Sequence, residues 1–234
     1  MHYVSLIGAE AAWGQASGLN GVLERLGFIP RSDISTTMVS VSPQLIIVQW
    51  SADDKGAALA TDWDTMPADR IKFVVVPAEI SEATRAELGT LFQGILTAPV
   101  DELALCKALA VQRYIALTAT ERRSLRGKVD ELACGDEATG AHLLRLIIDT
   151  NRAGLATLCE SYRREAWDEV RSAAHRIAGS ARMLDCGGLT ALLKRLETAA
   201  RDRQVELIKA LVPLTAATLE SLDMSIQTSL GVVR

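Results

Sequence analysis

His175 is the residue whose surroundings call for chemistry. It stands in AAHRIAGSARMLDCGGL, residues 173–189, a stretch with helical spacing. On a wheel of about 100° per residue, Val170, Ala174, Ile177, Ala181 and Leu184 share a sector of roughly 80°, which marks a buried face. His175 lies roughly 140° from the centre of that sector, on the solvent side. Gly179 follows one turn later and leaves the imidazole uncovered. A glycine inside a helix costs about 1 kcal/mol against alanine, so it needs a reason. Arg171 and Arg182 fall on the same stripe, and Arg176 is the next residue along the chain. An exposed imidazole with a free ring nitrogen is a nucleophile, since imidazole ordinarily titrates at about pH 6.5. A phosphoryl group accepted there brings nearly two negative charges, and flanking guanidinium groups meet it with charge-assisted hydrogen bonds. Gly179 leaves room for a second protein's active site to come close. The competing reading is an ordinary surface histidine on a helical bundle.

Other chemistries find little support. Cys106, Cys134, Cys159 and Cys186 are widely spaced with no CxxC pair, so no zinc signature exists, and each reads as a small buried thiol. His142 lacks the surroundings of His175, and His2 is at the terminus. No ligand cluster predicts a metal site, no nucleophile–base spacing predicts a hydrolase, and the G-x-G-x-x-G phosphate loop is absent.

The elements that must position His175 occupy the second half of a chain of 234 residues. Hydrophobic residues make up 49% and charged residues 23%, the mix of a globular protein, while aromatics at 4% leave the core to aliphatic side chains. No apolar run is long enough to cross a membrane. The N-terminus lacks a basic leader and reads as a strand, which predicts a cytoplasmic protein, and Met1 favours a stand-alone one. The net charge of −4 argues against nucleic acid as a ligand. Residues 1–117 carry 8 Lys+Arg against 13 Asp+Glu, and residues 118–234 carry 17 against 16.

The hydrophobic period also changes near residue 118. Before it, the strand-like runs 3–8, 36–42, 43–50, 70–78 and 94–100 alternate with helix-like runs at 14–28, 81–92 and 101–115. Alternation of this kind predicts a parallel sheet flanked by helices. After it, residues 120–135, 138–165, 166–184, 187–203 and 204–230 all carry apolar side chains at helical spacing, predicting an antiparallel bundle. Pro213 is expected to kink the last helix.

The segment AAHRIAGSARMLDCGGL, with LLRLIIDTNRAGLATLCESYRREAWDEVRSAA before it and LLKRLE after it, resembles a histidine-containing phosphotransfer (HPt) domain of bacterial unorthodox hybrid sensor kinases. The family motif is His, any residue, an apolar residue, Lys, Gly, then Ser or Ala. It falls here on His175, Arg176, Ile177, Ala178, Gly179 and Ser180, so the motif's lysine is replaced by alanine. The resemblance covers about residues 120–230. It implies a four-helix bundle with an additional N-terminal helix and His175 as phosphoacceptor. Arg171, Arg176, Gly179, Ser180 and Arg182 are then expected to stabilise the phosphoryl group or dock the partner. It also implies receiver domains of a hybrid sensor kinase and of a response regulator as partners.

Residues 1–117 resemble a receiver, a flavodoxin-like (β/α)5 fold, in PQLIIVQW and GILTAPV. The acidic pair after the first strand falls on Gly8 and Ala9. The phosphoacceptor aspartate falls on Gln49, the hydroxyl residue after strand four on Pro77, and the lysine before the strand-five proline on Ala98. Magnesium needs oxygen ligands, usually carboxylates, and these positions supply none. The first half therefore reads as a pseudo-receiver. The fold expectation is α/β plus all-α, divided at 117/118. The functional expectation is a phosphorelay carrier that is not itself an enzyme and needs no cofactor of its own, magnesium coming with the partner receiver. The alternative is a protein that docks receivers without phosphotransfer.

Overall fold

The computed structural model describes residues 2–8, 12–31, 44–50 and 70–231. The chain divides into two compact units, Met1–Gln112 and Arg113–Arg234.

The first unit is built on five parallel strands, β1 (His2–Ile7), β2 (Phe28–Arg31), β3 (Leu45–Gln49), β4 (Ile71–Val76) and β5 (Gly94–Thr97), in the order β2-β1-β3-β4-β5. This is the flavodoxin-like order, whose ligand crevice lies beyond the carboxyl ends of the strands. Leu45, Ile46, Ile47 and Val48 are all buried, as a central strand covered on both faces requires. Ile46, Val48, Val74 and Val76 pack with Leu88 and Phe92 into one core cluster. Helix α3 (Glu82–Leu91) is capped by the Ser81 hydroxyl and α4 (Glu102–Val111) by the Asp101 carboxylate.

One strand was not expected, and one expected helix needs correction. The second strand is Phe28–Arg31, a four-residue segment containing Pro30. Its position at the sheet edge explains how proline is tolerated, since an edge strand need not donate every N–H. The expected strand at 36–42 lies outside the described residues. The helix expected over 14–28 is two short helices, α1 (Trp13–Ala16) and α2 (Leu19–Arg25), broken at Gly18 with a left-handed φ of 73°.

The second unit contains α5 (Ala119–Leu132), α6 (Glu137–Arg163), α7 (Trp167–Met183), α8 (Gly187–Arg201) and α9 (Val205–Ser229). Helices α6 to α9 pack in sequence, and α9 returns to α6 and closes a four-helix ring, with α5 laid against α6 and α9. Helix α9 continues across Pro213. The turns after α6, α7 and α8 share one geometry. Glu165, Asp185 and Arg203 adopt left-handed φ of 55°, 54° and 52°. Each following N–H bonds back to the last turn of its helix: Ala166 to Ser161, Cys186 to Ala181, and Gln204 to Ala199, all at 2.9 Å. These Schellman-type closures satisfy orphan carbonyls and fold each helix back on the previous one within three residues. Helix α5 starts with a capping box between Thr118 and Glu121. The other Glu121 oxygen accepts the Gly187 N–H at 2.8 Å, tying α5 to the start of α8.

The cysteines also depart in part from expectation. Cys106 and Cys186 are buried, but Cys134 is exposed and Cys159 half-buried, and none of the four forms a disulfide. Burial, aided by Glu121 and Asp185, pushes the Cys186 thiol up to about 12, so it stays protonated and inert.

Candidate phosphoacceptor site

Helix α7 buries Val170, Ala173, Ala174, Ile177, Ala178 and Ala181. Its small residues bring α8 close, and this pair has the most extensive contact in the bundle. The opposite face carries His175, with its side chain 65% exposed. Arg171, Arg176, Gly179 and Arg182 are exposed on the same helix. A Cβ added to Gly179 would meet nothing within 4 Å, so the space over the imidazole is open. Among the described residues, Arg171, Arg176 and Arg182 have no ion-pair partner.

The imidazole is not free on both sides. Nδ1 of His175 lies 3.3 Å from the Glu197 carboxylate on α8. Glu197 is partly shielded, with 28% of its side chain exposed. With Nδ1 held, Nε2 is the nitrogen left to react. Glu197 closes the LLKRLE segment, but nothing in the sequence pattern singles it out. The short turn at 184–186 was the available signal, because it sets residues of α8 level with residues of α7.

Ser180 is placed elsewhere than expected. It is buried, and its hydroxyl lies 2.6 Å from the Asn151 amide oxygen on α6 and 2.9 Å from the Ile177 carbonyl. A side chain on the inner face cannot serve the surface around His175, so the docking and phosphoryl-stabilising assignment for Ser180 is withdrawn. Its role is structural. The Asn151 amide donates onward to Asp223 on α9 at 3.1 Å, and the Arg152 guanidinium lies 3.6 Å from the same carboxylate. This polar chain joins three helices, and such a chain is favourable when every member is satisfied. Ala178 is also fully buried.

In the first unit, Gly8, Gln49, Pro77 and Ala98 lie at or just beyond the carboxyl ends of β1, β3, β4 and β5. The topology thus gathers them at the crevice end of the sheet. Ala9 lies outside the described residues. Among the described residues at this end, Gly8, Gln49, Pro77 and Ala98 supply no carboxylate, and the Trp13 indole packs against Gly8. A Cβ on Gly8 would stand 2.3 Å from the Trp13 indole and 2.7 Å from Gln49 Oε1. Trp13 is 4% exposed. No group of three or more His, Cys, Asp or Glu side chains among the described residues could hold a metal ion. No described helix is long and apolar enough to cross a membrane.

Comparison with known proteins bears on the helical unit. No curated protein and no solved structure matches the chain. Residues 142–225 match the family model of the Hpt domain. Hpt domains act in histidine phosphotransfer and interact with receiver domains of two-component proteins, and His175 lies inside the matched segment. Residues 142–225 of the second unit are thus similar to an Hpt domain, a family that acts in histidine phosphotransfer in two-component signalling.

Proposed function

We propose that this protein is a phosphocarrier in which His175 takes a phosphoryl group from the aspartyl-phosphate of one receiver domain and passes it to the receiver of a response regulator. The observation that carries this reading is an exposed imidazole with one nitrogen held by Glu197 and the other open beside Gly179. In the forward step the Nε2 lone pair attacks phosphorus. A new N–P bond forms, the P–O bond of the partner's acyl phosphate breaks, and the partner's aspartate leaves as a carboxylate. The Nδ1 proton stays hydrogen-bonded to Glu197, whose negative charge offsets the positive charge gained by the ring. Magnesium and most of the catalysis belong to the partner receiver, so the protein is a stoichiometric intermediate. Arg171, Arg176 and Arg182 supply positive charge around the site, and Gly179 gives the partner access.

Residues 1–117 serve as a pseudo-receiver that does not carry phosphate, and 118–234 as the carrier domain. The buried alanine at the motif's lysine position favours one rival reading, docking of a receiver without transfer. Incubation of the full chain with phosphorylated receiver domains distinguishes the two. The carrier reading expects acid-labile, alkali-stable label on the wild type and none on His175→Gln. An unlabelled wild type, or label persisting on His175→Gln, refutes it.

A further inference from the structure

The phosphoryl group at His175 needs a cation close to the ring, and α7 does not supply one at the usual level. Ala178 is fully buried against neighbouring helices. A lysine there would have to snorkel out along its stem. Arg171 and Arg182 are four and seven residues from His175, about 6 Å and 10 Å along the axis.

The contact between His175 and Glu197 fixes the register between α7 and α8. Helices joined by a three-residue turn run antiparallel. Three residues back from Glu197 is therefore abreast of three residues on from His175. Lys194 stands there, on α8, level with Ala178. It is exposed and has no ion-pair partner among the described residues. Its neighbour Arg195 bonds Gln204 at the start of α9 at 3.0 Å, and Arg201 is held by Asp202 at 2.8 Å. A Cβ on Gly179, one residue from that level on α7, would meet nothing within 4 Å, so no side chain crowds this part of the surface.

We propose, resting on the carrier reading, that Lys194 contacts the phosphoryl group on His175 and takes over, from the facing helix, the charge that the motif's lysine carries on the histidine's own helix. Its ammonium sits on a flexible four-carbon stem that can reach across an uncovered glycine. The cation has moved one helix over while its level along the bundle is unchanged.

The test is the equilibrium yield of phosphohistidine when the full chain is mixed with a phosphorylated receiver domain. Wild type, Lys194→Gln, Lys194→Arg, Arg182→Gln and His175→Gln are compared at low and high salt. An exposed charge contact predicts a loss of about threefold to fivefold for Lys194→Gln. Lys194→Arg should stay near wild type, and the gap should close in high salt as the contact is screened. A Lys194→Gln yield equal to wild type overturns the proposal, as does a loss that Lys194→Arg fails to restore. A wild type that takes no label at His175 overturns the carrier reading itself, a different result from a labelled wild type indifferent to Lys194.

Discussion

Removing the Glu197 carboxylate should slow phosphotransfer to His175 without unfolding the bundle. The pair is 3.3 Å apart, with 65% of the histidine side chain and 28% of the glutamate side chain exposed. Two unit charges at that distance attract by about 1.3 kcal/mol in bulk water, and more as the local dielectric falls. Measured exposed pairs are worth about 0.2–1 kcal/mol, so about 1 kcal/mol is a fair upper figure at this surface. That corresponds to a loss of roughly fivefold in rate if the ring carries its full positive charge in the transition state. Glu197→Ala removes charge and acceptor together and should approach this limit. Glu197→Gln keeps an oxygen that can accept the Nδ1 proton, so it should lose about half as much in free energy, roughly twofold in rate. The assay is the initial rate of label transfer from a phosphorylated receiver domain, with thermal melts confirming that both variants fold. A Glu197→Ala protein that transfers at the wild-type rate refutes the reasoning. So does Glu197→Gln falling below Glu197→Ala.

Two further outcomes follow from buried features. Burial lifts the Asp223 carboxyl above its ordinary value of 3.8, with Asn151 and Arg152 opposing the shift. The folded state therefore favours the protonated form, and this contribution to stability is present below the ordinary value and lost as pH rises through the raised one. Asp223→Asn keeps an oxygen for the Asn151 amide and removes the titration, so its stability relative to wild type, read by urea melts, should improve from about pH 3 to about pH 7. In the first unit, adding Gly8→Asp and Gln49→Asp to His175→Gln should not create magnesium-dependent labelling by acetyl phosphate, because Trp13 occupies the space. Gly8→Asp alone should destabilise that unit by about 1–3 kcal/mol through overpacking in denaturant melts. Stable magnesium-dependent label on the triple variant would contradict this account.

The sequence alone determined the change from strand to helix periodicity, the five bundle helices and the solvent-facing position of His175. Each depends on a local repeat of apolar side chains, which the chain carries without reference to its neighbours. Gly179 and the flanking arginines were legible for the same reason, since one helical wheel places them all. The second strand was not legible. Phe28–Arg31 is short and interrupted by Pro30, and only its place at the sheet edge makes it a strand. The role expected of Ser180 came with the family resemblance, and it fails here because Asn151 of α6 claims its hydroxyl inside the bundle. Trp13 against Gly8, Glu197 on the histidine and Lys194 abreast of Ala178 were decided by tertiary structure. Each brings together residues from different elements, and only the packing register sets which side chains stand at the same level.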